Sequence, residues 1–147
     1  SISIAVDAKR RFILGAEVSV IPAFGLLAKF SREKYGRRSN GHKKGLSRLF
    51  HRLEGVVKKN ATIKSDAHKN YPEFVHKFFP NGHYQLFKGA KGAIVGQGEL
   101  KKLKRDPLFM INHTCAMLRA NINRLIRKTW CTTKDPTRLV YHLAIYI

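Results

Sequence analysis

Two different spacings of apolar residues along the chain constrain its fold more than any other feature. In Ser1–Val6 and Phe12–Ile21 apolar and β-branched residues dominate, and the Asp7, Ala8, Lys9, Arg10, Arg11 stretch between them is polar. That is the pattern of two strands joined by a turn. From Leu46 the spacing lengthens: Leu46, Leu49, Phe50, Leu53, Val56 and Val57 recur every three or four residues, with Lys43, Lys44, Arg48, Arg52 and Lys58 mostly opposite. An amphipathic helix packed on a sheet is predicted there. Between these two regions, Ile21–Gly41 reads as a loop or short helix.

The alternation continues downstream. Ala61–Lys64 is a short strand ending at Ser65 and Asp66, His68–Phe79 has helical spacing closed by Pro80, Asn81 and Gly82, and a strand follows at about His83–Lys88. Lys88–Gly98 holds four glycines and reads as a flexible loop. A long helix is predicted from about Leu108, with Ile111, Cys115, Leu118, Ile122, Leu125, Ile126 and Thr129 in one apolar stripe. The order strand, strand, helix, strand, helix, strand, helix indicates an α/β layer fold with a mixed sheet. At 147 residues, residues 1–147 are read as a single domain.

Charge narrows the partners. Lys and Arg number 29 against 9 Asp and Glu, a formal net charge of +20, far more than solubility requires and suited to a polyanion, nucleic acid first. A membrane is the competing polyanion, but no apolar run approaches the roughly 20 residues of a spanning helix. Cys115 and Cys131 have neither zinc-finger nor disulfide-scaffold spacing, which fits a cytoplasmic protein with reduced thiols.

Few residues can carry chemistry. Asp66, in a polar loop at a strand end, is placed to ligate a hard metal, although an Asp there also caps helices. Glu99 tempts as its partner, but its setting before Lys101, Lys102, Lys104 and Arg105 favours a solvated helix start. At about 100° per residue, Asn112, Arg119 and Asn123 fall within about 20° of one line along the long helix. Arg124, Arg127, Lys128 and Lys134, with Trp130 nearby, extend a surface suited to phosphates and a stacked base, or simply a solvated basic face. The histidines lack helical metal-ligand spacing, and no Gly-Lys-Ser/Thr ending follows the glycine loop, which excludes a phosphate-binding loop.

Three stretches resemble one family. Arg119-Ala-Asn-Ile-Asn-Arg124-Leu-Ile-Arg127-Lys128-Thr129-Trp130-Cys131-Thr-Thr-Lys134 is similar to the final helix of the transposases of small bacterial insertion sequences, in the group that includes insertion sequence one. Ile63–Tyr71 resembles that family's second-acid segment. Tyr35-Gly36-Arg37-Arg38 with the Leu46–Leu53 helix resembles the stretch between. The resemblance spans nearly the whole chain in the family's order.

It implies an RNase H-like mixed sheet flanked by helices, with acidic residues binding two Mg2+ (or Mn2+) ions for attack on phosphodiester bonds. By the same match Asp66 is the second acidic ligand and Asn112, seven residues before Arg119, the third, where many relatives carry Glu. Arg119, Asn123, Arg124, Arg127, Lys128 and Lys134 would contact DNA. The family's first acid lies on a strand before the opening hairpin, so the expectation is an N-terminally truncated catalytic domain with its first strand missing, not competent alone. Asp7 is read as a turn residue instead. The implied partners are double-stranded DNA, both transposon ends and target, and further copies of the intact protein, in the bacterial cytoplasm at the nucleoid. The alternative is a non-catalytic basic nucleic-acid-binding protein or transposon remnant.

Overall fold

The structure is a computed structural model that describes residues 1–26, 28–88, 93–94, 97–101, 104–125 and 135–147. Along the chain run β1 (Ile2–Val6), β2 (Ile13–Val18), α1 (Ala28–Tyr35), α2 (His42–Leu53), β3 (Thr62–Asp66), α3 (Tyr71–Phe78), β4 (His83–Phe87), β5 (Ala93–Ile94), β6 (Gln97–Lys101), β7 (Lys104–Arg105), α4 (Phe109–Asn121) and α5 (Pro136–Tyr146). A short 3-10 turn, Asn123–Leu125, follows α4.

The hairpin forms where the sequence predicts it, β1 and β2 pairing antiparallel with Ile2 opposite Val18 and Ala5 opposite Gly15. The register then jumps to Val6 opposite Ile13, leaving Leu14 as an extra residue, a β-bulge. Successive side chains point to opposite faces, and here both faces are covered. Ala5 and Leu14 join one apolar cluster, while Ile2, Ile4 and Val18 join another.

The first cluster is the amphipathic face of α2, Leu46, Leu49, Phe50 and Leu53, packed with Phe74 and Val75 of α3 and with Phe79. Phe50 stacks on Phe74 with ring centroids 5.8 Å apart and meets Phe79 at 6.4 Å. Two glycines let α2 approach the hairpin. A Cβ on Gly45 would lie 1.8 Å from Ser19 Oγ, and one on Gly15 would lie 2.9 Å from a Leu49 methyl. Glu17 of β2, its side chain only 10% exposed, pairs with Arg48 and Arg52 on α2. The second cluster joins Leu118 and Ile122 to Leu143 of α5.

β3 and β4 pair in parallel, Thr62 opposite His83 through Asp66 opposite Phe87. A parallel pair needs a crossover, and α3 supplies it. β5, β6 and β7 form a small antiparallel sheet.

Several expectations are corrected. The described strands form three small sheets rather than one mixed sheet, so the result at this level is an α/β fold with antiparallel and parallel pairs. β5 and the first residues of β6 fall within the expected glycine loop, and Glu99 sits in β6 rather than at a helix start. The long helix stops at Asn121, because Ile122 is extended (φ −108°, ψ 99°). Ile126 and Thr129 of the proposed stripe lie outside the described residues. α5 is additional to the predicted elements; Asp135 caps it, accepting the Thr137 amide at 2.9 Å, with Pro136 in its first turn. No helix among the described residues is long and apolar enough to cross a membrane.

Candidate functional site

Asp66 is the last residue of β3 and is exposed. Its Oδ1 accepts the His68 amide at 3.2 Å, while the N-cap of α3 is Asn70. Asp66 therefore shapes the loop ahead of α3 without capping the helix. Tyr71, the first residue of α3, has its phenol pKa raised by burial, then by the Asp66 carboxylate, the Cys115 thiol and Tyr84. One phenol thus lies within electrostatic range of both the end of β3 and the middle of α4.

Around it sits an imidazole pair. The His42 and His68 rings meet edge to face at 5.1 Å, and His68 lies 5.2 Å from the Tyr71 ring. His42 Nε2 is buried with no hydrogen-bond partner among the described residues. Burial lowers the His42 pKa, and the charge of His68 lowers it further. Sequence spacing missed this pair because the two residues come from different elements, α2 and the loop after β3.

Asn112, in the first turn of α4, is exposed, and its Nδ2 donates to Asp106 Oδ2 at 2.7 Å. Asp106 is 6% exposed, and its Oδ1 accepts the Leu108 amide at 3.0 Å where α4 begins. Sequence reading passed over Asp106 because it lies across a strand-to-helix junction from Asn112, where no single period applies.

Arg119 is exposed on α4 and acts on the Cys115 thiol, whose pKa is nevertheless raised by burial. Asn123 and Arg124 lie in the 3-10 turn beyond the extended Ile122. The expected single line through Asn112, Arg119 and Asn123 is therefore broken after Arg119. Arg127, Lys128 and Lys134 lie outside the described residues. Asn123 and Arg124 instead line an open cavity of about 720 Å³ with Asn121, Ile122, His142, Ile145 and Tyr146. His142, Ile145 and Tyr146 of that lining come from α5.

Asp7 is a turn residue, as expected. Its carboxylate accepts the Lys9 and Arg10 amides at 2.7 and 3.0 Å, which hold its pKa below the ordinary value. Beside it Arg11 takes a left-handed φ of 63° and carries its guanidinium to 6.0 Å from the Phe109 ring centre at the start of α4.

Asp66 and Asn112 each offer an oxygen to a divalent cation, a carboxylate at the end of β3 and a side-chain carbonyl in the first turn of α4. Hard oxygen donors in small number suit Mg2+, which keeps several waters and uses only one or two protein carboxylates beside substrate phosphates. Among the described residues no group of three or more His, Cys, Asp and Glu is gathered to hold a metal. Comparison with family models, curated proteins and solved structures finds no match to this chain.

Proposed function

We propose that the chain belongs to the catalytic core of a DDE-type transposase of the insertion-sequence-one group, a class that cleaves and joins double-stranded DNA with Mg2+ or Mn2+, and that it is not competent alone. In this reading the hairpin and the β3–β4 pair, which form separate sheets, are elements of an RNase H-like fold. Asp66 and Asn112 would each supply oxygen to a divalent cation, whose chemistry would be to activate water and then a 3′-hydroxyl. Arg119, Asn123 and Arg124, with Arg127, Lys128 and Lys134, neutralise backbone phosphates.

The observation that carries the reading is Asp66, exposed at the end of β3 in a parallel strand pair. A net charge of +20 supports a polyanionic substrate.

Binding of labelled duplex DNA at rising salt, with and without Mg2+, tests it on this chain and on an Asp66→Ala, Asn112→Ala variant. Tighter binding with Mg2+ in the original chain alone supports a cation site. Equal binding by both, with affinity falling as salt rises, leaves a basic nucleic-acid-binding protein and refutes the catalytic assignment.

A further inference from the structure

The Asn112 amide has two chemically different ends, and its neighbour decides which one faces out. A carboxylate only accepts hydrogen bonds, whereas an amide donates from Nδ2 and accepts at Oδ1. Asp106 Oδ2 lies 2.7 Å from Asn112 Nδ2, so the NH2 end must turn inward to it. No described residue donates to the Asn112 Oδ1, and the residue is exposed. Asp106 is itself held, being buried and accepting the Leu108 amide with its other oxygen. A fixed acceptor thus grips one end of a surface amide on the helix that carries it.

We infer that Asp106 is a positioning residue that holds the Asn112 carbonyl outward as a neutral oxygen donor to a divalent cation. This rests on the proposed role of Asn112 and adds to it the group that makes an amide usable at that place. A free surface Asn would sample both orientations and present NH2, which cannot ligate a cation, for part of the time. With NH2 anchored by a charge-assisted bond, the carbonyl is presented throughout. The arrangement follows the general behaviour of metal ligands, whose outer partners fix orientation and whose loss weakens metal affinity about 10–100-fold.

The test uses reciprocal variants of the full chain with Mn2+ alone as the probe, followed by paramagnetic broadening of NMR signals. Asp106→Asn keeps an oxygen for the Leu108 amide but places an NH2 against that of Asn112. The Asn112 amide must then flip and present NH2 outward. Mn2+ affinity should fall about tenfold or more, as it should for Asn112→Ala. The swap Asp106→Asn with Asn112→Asp restores a donor facing an acceptor and an outward oxygen, so affinity should return. A carboxylate at 112 offers oxygen in either orientation, so the swap shows that an oxygen at 112 suffices, and the loss in Asp106→Asn alone carries the positioning role.

On the unaltered chain the Asn112 side-chain NH2 should show one slowly exchanging proton shifted downfield. Mg2+ should move its carbonyl carbon resonance while that protection persists. This second measurement decides the matter even where Asp106→Asn fails to fold. If Asn112→Ala weakens Mn2+ binding but Asp106→Asn does not, or if Mg2+ frees the NH2 group, the positioning role is overturned and the cation site stands. If Mn2+ binding is indifferent to both Asp66→Ala and Asn112→Ala, the functional reading itself falls and the inference with it.

Discussion

Alanine at position 45 probes the seating of α2 on the hairpin. Within a helix, Gly→Ala ordinarily stabilises by about 1 kcal/mol, because glycine loses more backbone freedom on folding. Gly45 has no left-handed φ to forbid alanine. Against that gain, the new Cβ would stand 1.8 Å from Ser19 Oγ, 3.2 Å from Ser19 Cβ and 3.6 Å from Glu17 Cγ. Ser19 is buried, and its amide donates to the Ser1 carbonyl at 2.8 Å, so its backbone does not yield freely. Overpacking of this kind costs about 1–3 kcal/mol. Gly45→Ala should therefore lose about 1 kcal/mol net, and the sign of the effect is the informative part. Removing the hydroxyl should reverse it. Ser19→Ala deletes a buried oxygen that has no hydrogen-bond partner among the described residues and leaves the Cβ contact at 3.2 Å. The double variant should then be at least as stable as the original chain, with a coupling of about 1–3 kcal/mol between the sites. Urea melts with a common m-value measure all three variants. A stabilising Gly45→Ala that adds simply to Ser19→Ala would refute the close approach of α2 to the end of β2.

Leu46→Ala, which empties a fully buried position between α2 and the hairpin, should cost about 2–5 kcal/mol in the same melts. Asp135→Ala removes the side-chain cap of α5 and should lose about 0.5–2 kcal/mol, with reduced helical circular dichroism. Burial, and then His68, lowers the folded-state pKa of His42 below its ordinary 6.5. The folded protein therefore binds fewer protons than the unfolded chain below that pH, so stability should fall as pH drops from about 6.5. His42→Gln should flatten that part of a stability-against-pH curve, and an unchanged slope would dismiss His42 as its source.

Much of the fold was legible because its driving force is periodic. The shift from near two-residue to near four-residue apolar spacing marks the hairpin and α2, and Leu46, Leu49, Phe50 and Leu53 are buried as that face requires. The prediction overran where periodicity outlasted the element. Val56, assigned to the helical stripe, lies beyond Leu53 and is 64% exposed. The division into three sheets was not legible, since the strand pattern names strands and not their neighbours. The start of α5 was written in Asp135 and Pro136, an N-cap residue followed by proline, and could have been read.

The site divides along the same line. Asp66 could be found because a strand end followed by a polar loop is a local pattern, and it does end β3. Lining up Asn112, Arg119 and Asn123 required one unbroken helix, and that premise fails at a single residue. Ile122 is extended yet only 5% exposed, sharing a cluster with Leu118 and with Leu143 of α5. Burying that side chain against a helix far along the sequence offsets the backbone bonds lost on leaving α4. A contact between residues so distant in the chain has no trace in local spacing. The break nevertheless directs Asn123 and Arg124 towards His142 and Tyr146 instead of along the Asn112 face. If these basic residues bind phosphate, they do so from the α5 side, and Arg119 alone of the described basic residues in this run continues the line from Asn112. Single Arg119→Ala and Arg124→Ala variants should therefore each shallow the salt dependence of duplex binding by about one phosphate contact, while only Arg119→Ala should change the response to Mg2+.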